Sequence, residues 1–173
     1  FNERHNGRLF YNTGRRINNG LIRLNHSVLE LSDRDIVSYS RNIGDLKGSK
    51  KLNSKFIDIV RNYLPDLIIL GHADHINKET ISLVKNKHPD IKICQWFLDR
   101  MDSEWKINLQ RFNDKINLMD ASFCTTNPND LKFNKKLNVF FMPNPVDPSL
   151  EKLNNFKNDK LNSDVFFAMS HGV

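Results

Sequence analysis

Between Asp66 and Arg100 the chain carries two short apolar runs separated by the length of one helix, and few folds accept that pattern. Leu67-Ile68-Ile69-Leu70 is unbroken apolar sequence, as expected of a strand covered on both faces. Gly71 ends it, and His72, Ala73, Asp74 and His75 follow where a strand releases the chain into a loop. Asn77 stands at a helix N-cap position, and Ile81, Val84 and Lys85 run on towards Pro89, which stops the helix. Ile91 to Phe97 reads as the second strand, with Asp99 and Arg100 leaving its far end. Two strands joined by such a helix lie parallel with a right-handed crossover. The pairs His72/Asp74 and Asp99/Arg100 are therefore expected at one edge of one sheet, the carboxyl edge at which open α/β sheets bind ligands.

The remaining sequence continues the alternation, so the expected fold is α/β, a Rossmann-like three-layer sandwich with a mostly parallel sheet. At 173 residues the chain is the size of one ordinary domain. Helices are expected over 8–24, 52–64 (halted by Pro65), 103–117 and, behind Pro128, 128–134. Strands are expected over 27–32, 121–125, 138–142 and 165–169, with a turn at 33–35 and a short edge strand at 36–39. A doubly wound sheet usually opens with a strand that becomes central, whereas this chain opens with the loop that would follow one. Either that strand precedes Phe1, in a fragment or trimmed product, or Val165 to Met169 fills its slot, from the same chain or from a dimer mate by strand exchange. An unfilled slot would expose two hydrogen-bonding edges.

Charge and cysteine content narrow the partners. The net charge of +6 comes from lysines scattered among Asn and Ile, and no Arg/Lys run interleaves with aromatics as a nucleic-acid platform requires. No specific nucleic acid is expected; a nucleotide or a phospholipid surface is compatible with the charge. No apolar run approaches the roughly 20 residues of a transmembrane helix, and no signal peptide is visible. Cys94 and Cys124 fall inside expected strands and read as reduced core thiols. The expected location is cytoplasmic, with peripheral membrane contact left open.

The chemistry on offer is acid–base. His72-Ala73-Asp74-His75 has metal-ligand residue types, but no matching cluster follows in the sequence, and no metal is expected. His72 or Asp74 could instead act as a proton acceptor or bind a substrate hydroxyl, or the segment is simply a turn and helix cap. Asp99 just past a strand end could bind a sugar hydroxyl or take its proton, or pair with Arg100 or Arg111. Trp96 is core or a stacking platform for a sugar ring. Asn6, Gly7 and Arg8 precede the first helix, whose free N–H groups could hold phosphate, with Arg15 and Arg16 nearby or merely solvated. There is no GxGxxG, no GxxxxGK[ST] and no GxSxG.

Pro143-Asn144-Pro145-Val146-Asp147-Pro148 after a strand resembles the PNGVD-like hinge turn of GT-B-fold glycosyltransferases. Gln95-Trp96-Phe97-Leu98-Asp99 is similar to the strand ending in W-x-x-D of the CgeB-like branch, and Asp164 to Phe167 is similar to the opening strand of that family's second domain. The resemblance implies transfer of a sugar from a nucleotide-sugar donor to a hydroxyl acceptor, with no other cofactor. Residues 1–148 would form the acceptor-side domain, 149–163 a linker, and 164–173 the first strand of a second, donor-binding domain or a strand docked onto the first sheet. It implies Asp99 for acceptor contact and His72 or Asp74 for proton removal. Trp96, Arg100, Thr126 and Asn127 would lie on the acceptor side, Asn6, Gly7 and Arg8 would hold phosphate, and Asn144 and Asp147 would form the hinge. Gly7 stands where many members carry a glycine-rich turn, and no turnover is expected without the donor domain. The alternative is a non-catalytic receiver-like or flavodoxin-like module, favoured if Asp74 and Asp99 together chelate Mg²⁺.

Overall fold

The computed structural model describes residues 7, 10–133, 136–152, 157 and 160. Five α-helices and four strands follow in the order α1 (Thr13–Arg23), α2 (Asp33–Ser40), α3 (Ser49–Tyr63), β1 (Leu67–Gly71), α4 (Lys78–Lys87), β2 (Lys92–Phe97), α5 (Lys106–Asn113), β3 (Ala121–Cys124) and β4 (Val139–Phe141). Short 3-10 turns occupy Ile116–Leu118 and Pro128–Leu131. The strands form one sheet in the order β1-β2-β3-β4, every neighbour parallel. This is the α/β, Rossmann-like class expected from the sequence.

Alternation along the strands separates the two faces. Ile68, Leu70, Ile93, Gln95, Phe97, Ser122 and Cys124 share one face by register, and all are buried. Val37 of α2, Leu52, Phe56 and Val60 of α3, and Ile81 and Val84 of α4 pack with Ile68, Leu70 and Ile93 in one cluster. Phe97, Met101, Phe112, Ile116 and Cys124 continue the core under α5. Sequential order of parallel strands explains this, because the usual right-handed crossover puts each connecting helix on the same side. Cys94 and Cys124 are buried and unlinked, and burial pushes the Cys94 thiol up to about 11, so neither is a reactive thiolate at neutral pH. No helix of the described residues is long and apolar enough to cross a membrane.

Several expected elements differ. Residues 27–32 form no strand; Glu30 is instead tied to α1 by Arg15 (2.8 Å) and Asn18 (3.2 Å). The expected turn and edge strand over 33–39 are the helix α2. Asp33 and Asp35 in its first turn suit the helix dipole, and Ser32 bonds Asp35 across that turn. The first helix begins at Thr13 rather than residue 8 within the described residues, where Asn12 caps the N–H of Arg15 at 3.1 Å. The expected helix over 103–117 divides into α5 and a 3-10 turn. The proposed slot-filling strand Val165 to Met169 lies outside the described residues.

Two anchors set the helices in place. Gly48, with φ +67°, leads into α3, and a Cβ there would stand 2.2 Å from the Val37 carbonyl oxygen of α2. Asp147 is wholly buried. One carboxylate oxygen accepts from Asn19 (2.8 Å) and the Tyr11 hydroxyl (3.2 Å). The other accepts from Arg23 (2.9 Å) and from the Ser149 N–H and hydroxyl (2.9 and 2.7 Å). Glu151 also pairs with Arg16 at 2.6 Å. The start of the expected linker, Ser149 to Glu151, is therefore bound to α1.

Candidate functional site

Gly71 pairs with Trp96 in register, so His72 leaves β1 beside Phe97 at the end of β2. His72 adopts a left-handed conformation, φ +48°, and its carbonyl accepts from the Asp74 N–H at 2.7 Å. Histidine is among the residues that enter this region more readily. The turn lays the imidazole flat on Phe97, with ring centroids 4.2 Å apart and planes 14° apart. The far end of the loop is held by Asn53, buried on α3. Its amide donates to the carbonyls of Ser49 (2.7 Å) and His75 (2.8 Å) and accepts from the Asn77 N–H (2.9 Å). Asn77 does stand at the N-cap of α4, but without a side-chain cap bond.

Helix α5 supplies the charge that organises the rim. Arg111 grips Asp74 through Nη2 (2.6 Å) and Nε (3.3 Å), reaches Asp99 Oδ2 at 3.5 Å through Nη1, and lies 5.3 Å from the Phe97 ring centroid. Its hydrogen bond to Asp74 holds the guanidinium pKa above its ordinary value. Arg34 of α2 approaches Asp74 at 3.5 Å. Lys115, nearly buried, donates to the Ala73 carbonyl, and burial lowers its pKa. Burial raises that of Asp33, whose Oδ2 is enclosed without a hydrogen-bond partner.

These contacts assign distinct chemical capacities. His72 Nε2 faces the Leu98 N–H at 3.0 Å, so it is the acceptor and the proton of the neutral ring sits on Nδ1, which lies 3.3 Å from Arg111 Nη2 and 3.6 Å from Asp99 Oδ2. Burial lowers the His72 pKa, with Arg111 adding to the effect and Asp99 opposing it. With its lone pair engaged, the imidazole is a poor proton acceptor; it fixes the exit of β2, with Nδ1 beside both Arg111 and Asp99. Asp74 is likewise committed to two guanidinium groups. Asp99, with its side chain 48% exposed, is the carboxylate left open to a ligand. A space of about 20 Å³, room for roughly one water, lies among His72, Asp74, Gln95, Phe97, Arg111 and Lys115. Beside it an open depression of about 330 Å³ is lined by Asp74, Arg111, Asp114 and Lys115, at the small end of the ~300–1,000 Å³ typical of ligand sites.

His72, Asp74 and Asp99 thus meet at one rim, and the partner of Asp99 is Arg111 rather than Arg100. Arg100 turns outward to Asp102 and Glu104. Trp96 is 3% exposed, too enclosed to stack on a sugar, and its indole N–H is buried without a hydrogen-bond partner. Thr126 accepts from the Met101 N–H at 3.2 Å, and Asn127 caps the N–H of Asn129 at 3.1 Å. Both hold loops together. Asn144 is exposed, whereas Asp147 is the buried anchor of α1 rather than a free hinge residue. Gly7 takes a left-handed conformation and accepts from the Phe10 N–H; Asn6 and Arg8 lie outside the described residues. Arg15 and Arg16 are paired with Glu30 and Glu151. No cluster of three or more metal-ligating side chains occurs among the described residues. Between Asp74 and Asp99, where the receiver-like alternative requires Mg²⁺, stands the guanidinium of Arg111.

Arg111, Asn53, Lys115 and Arg34 went unassigned in the sequence reading, apart from Arg111 as a partner of Asp99. One signal for Asn53 existed. It shares a helical stripe with Phe56 and Val60, so a polar side chain there must be buried and satisfied. No known family, curated protein or solved structure matches the chain.

Proposed function

We propose that the chain is an acceptor-side sugar-transferase domain, binding a hydroxyl-bearing ligand at the carboxyl edge of its sheet. The observation that carries this reading is the half-exposed Asp99 carboxylate, set between His72 Nδ1 (3.6 Å) and Arg111 Nη1 (3.5 Å). Asp99 accepts the hydrogen bond of the attacking hydroxyl and takes its proton as the bond to the sugar forms. His72 and Arg111 are positioning residues that flank the carboxylate at the rim and disperse its charge, and Arg111 also lines the neighbouring depression. Asp74 keeps Arg111 in place. In this reading the leaving nucleoside diphosphate is stabilised by a second Rossmann-like domain, as the GT-B resemblance implies, and the chain alone carries no turnover.

The test is ligand-observed NMR with mono- and disaccharides and nucleotide sugars, followed by titration of the tightest saccharide. Asp99→Asn is expected to weaken that saccharide by roughly 10- to 100-fold, the cost of losing a hydrogen bond to a charged group. Because Asp99 is exposed, its thermal midpoint should match that of the parent. Failure of the parent to bind any saccharide, or equal binding by Asp99→Asn, would remove the basis of the reading.

A further inference from the structure

The turn joining α2 to α3 exposes two aliphatic side chains that the fold does not use. Ile43 is 99% exposed and Leu46 78%, and Tyr39, at the end of α2 beside them, is 70% exposed. The turn itself is well tied. Asn42 and Asp45 exchange backbone hydrogen bonds of 3.3 and 3.0 Å. The Asn42 side chain accepts from the N–H groups of Gly44 and Asp45, and Asp45 Oδ2 accepts from the Lys50 N–H at 2.8 Å. Ile43 and Leu46 are thus held outward by a satisfied backbone.

Around them the charge is one-sided. Residues 39–51 contain Arg41, Lys47, Lys50 and Lys51 against the single carboxylate of Asp45. None of the four cations joins an ion pair among the described residues. Lys50 and Lys51 occupy the first turn of α3, where the helix dipole disfavours positive charge. Lys50 Nζ donates to the Gly44 carbonyl at 3.2 Å and so helps to tie the turn, but folding accounts for neither the aliphatic tip nor Arg41, Lys47 and Lys51 beside it.

We propose that this turn docks the protein on an anionic lipid bilayer. Ile43 and Leu46 enter the boundary between headgroups and acyl chains, with the amphipathic ring of Tyr39 at headgroup level. Arg41, Lys47, Lys50 and Lys51 meet the lipid phosphates. Charge complementarity selects an anionic partner, and the aliphatic pair selects a bilayer, because a nucleic-acid backbone would reward the cations but not a fully exposed isoleucine. This surface is independent of the ligand site at Asp99.

Flotation of the full chain with vesicles tests the proposal. Vesicles mixing phosphatidylcholine with phosphatidylglycerol are expected to carry the protein, those of phosphatidylcholine alone are not, and added salt should release it. Ile43→Ser with Leu46→Ser is expected to lower the partition coefficient about tenfold. Lys47→Glu with Lys51→Glu should lower it by about tenfold or more. All four positions are exposed, so both variants should melt with the parent. Absence of flotation on the mixed vesicles overturns the proposal, as does undiminished flotation of the Ile43/Leu46 variant. Retention on heparin without flotation also overturns it, since the cations would then serve another polyanion.

Discussion

Asp147→Ala should release α1 from the body of the protein, with trypsin cutting after Arg15, Arg16 and Arg23 roughly tenfold faster or more than in the parent. The helix buries no residue completely, so apolar packing alone holds it weakly. Beside the part-exposed pairs of Arg15 and Asn18 with Glu30 and of Arg16 with Glu151, the buried tie is one carboxylate that accepts from Asn19, Tyr11, Arg23 and Ser149. Alanine leaves those donors facing one another around an empty acceptor, and a lost partner in a buried charged network is costly. Asp147→Asn keeps one acceptor oxygen but loses the charge opposite Arg23, so it should fall between parent and alanine.

The same carboxylate leaves a pH signature. Hydrogen bonds from Asn19 first, then those from Ser149, together with the charge of Arg23, hold its pKa far below the ordinary carboxylate range. The unfolded chain therefore binds this proton at a higher pH than the folded one. The stability contributed by Asp147 is complete above the unfolded value, about 3.9, and is lost as pH falls from there towards the folded value. Acid titration of unfolding should show a shallower loss below about pH 4 in Asp147→Ala than in the parent. Parallel curves would mean that the carboxylate does not carry this load.

Gly48→Ala is the second large effect expected, a loss of about 3 kcal/mol or more and thus roughly 10 °C in melting temperature. Two costs combine. The left-handed backbone at Gly48 is strained for any residue with a Cβ, and that Cβ would lie 2.2 Å from the Val37 oxygen and 3.0 Å from the Val37 Cα and carbonyl carbon. These are backbone atoms of a packed helix, so relief requires moving α2 from α3. That movement disturbs Asn53, one turn along α3, and with it the His72–Asn77 loop, so saccharide binding should weaken along with stability. Gly20→Ala provides the opposite sign. Its Cβ meets nothing within 4 Å in mid-helix, and a gain of about 0.5–1 kcal/mol follows from restricting the unfolded chain. If both variants shifted the midpoint alike, close approach would not be what requires Gly48.

What could be read from the sequence was local. The β1-α4-β2 unit was legible because unbroken apolar runs, Gly71 and Pro89 punctuate the backbone within a few residues of where they act. Its parallel topology followed from chain stereochemistry and delivered His72, Asp74 and Asp99 to one edge. The segment 36–39 was misread because a few apolar residues fit a strand as well as a helix. Burial of Val37 against α3, together with Asp33 and Asp35 at the helix start, decided for the helix.

The residues that make the rim a site come from elsewhere in the chain: Arg34 from α2, Asn53 from α3, Arg111 from α5 and Lys115 just beyond it. Nothing in their own neighbourhoods marks them, because a cation on a helix face looks the same whether it meets solvent or a carboxylate tens of residues away. Asp147 shows the same division. Its PNPVD context identified a turn, while its role as the acceptor that holds α1 arises only when Asn19 and Arg23, more than a hundred residues earlier, are folded against it. By itself the sequence determined the strand and helix that create the edge, since local sterics and apolar periodicity act over a few residues. Tertiary structure decided which charges face each other there, since Coulomb and hydrogen-bond energies depend on distance in space rather than on separation along the chain.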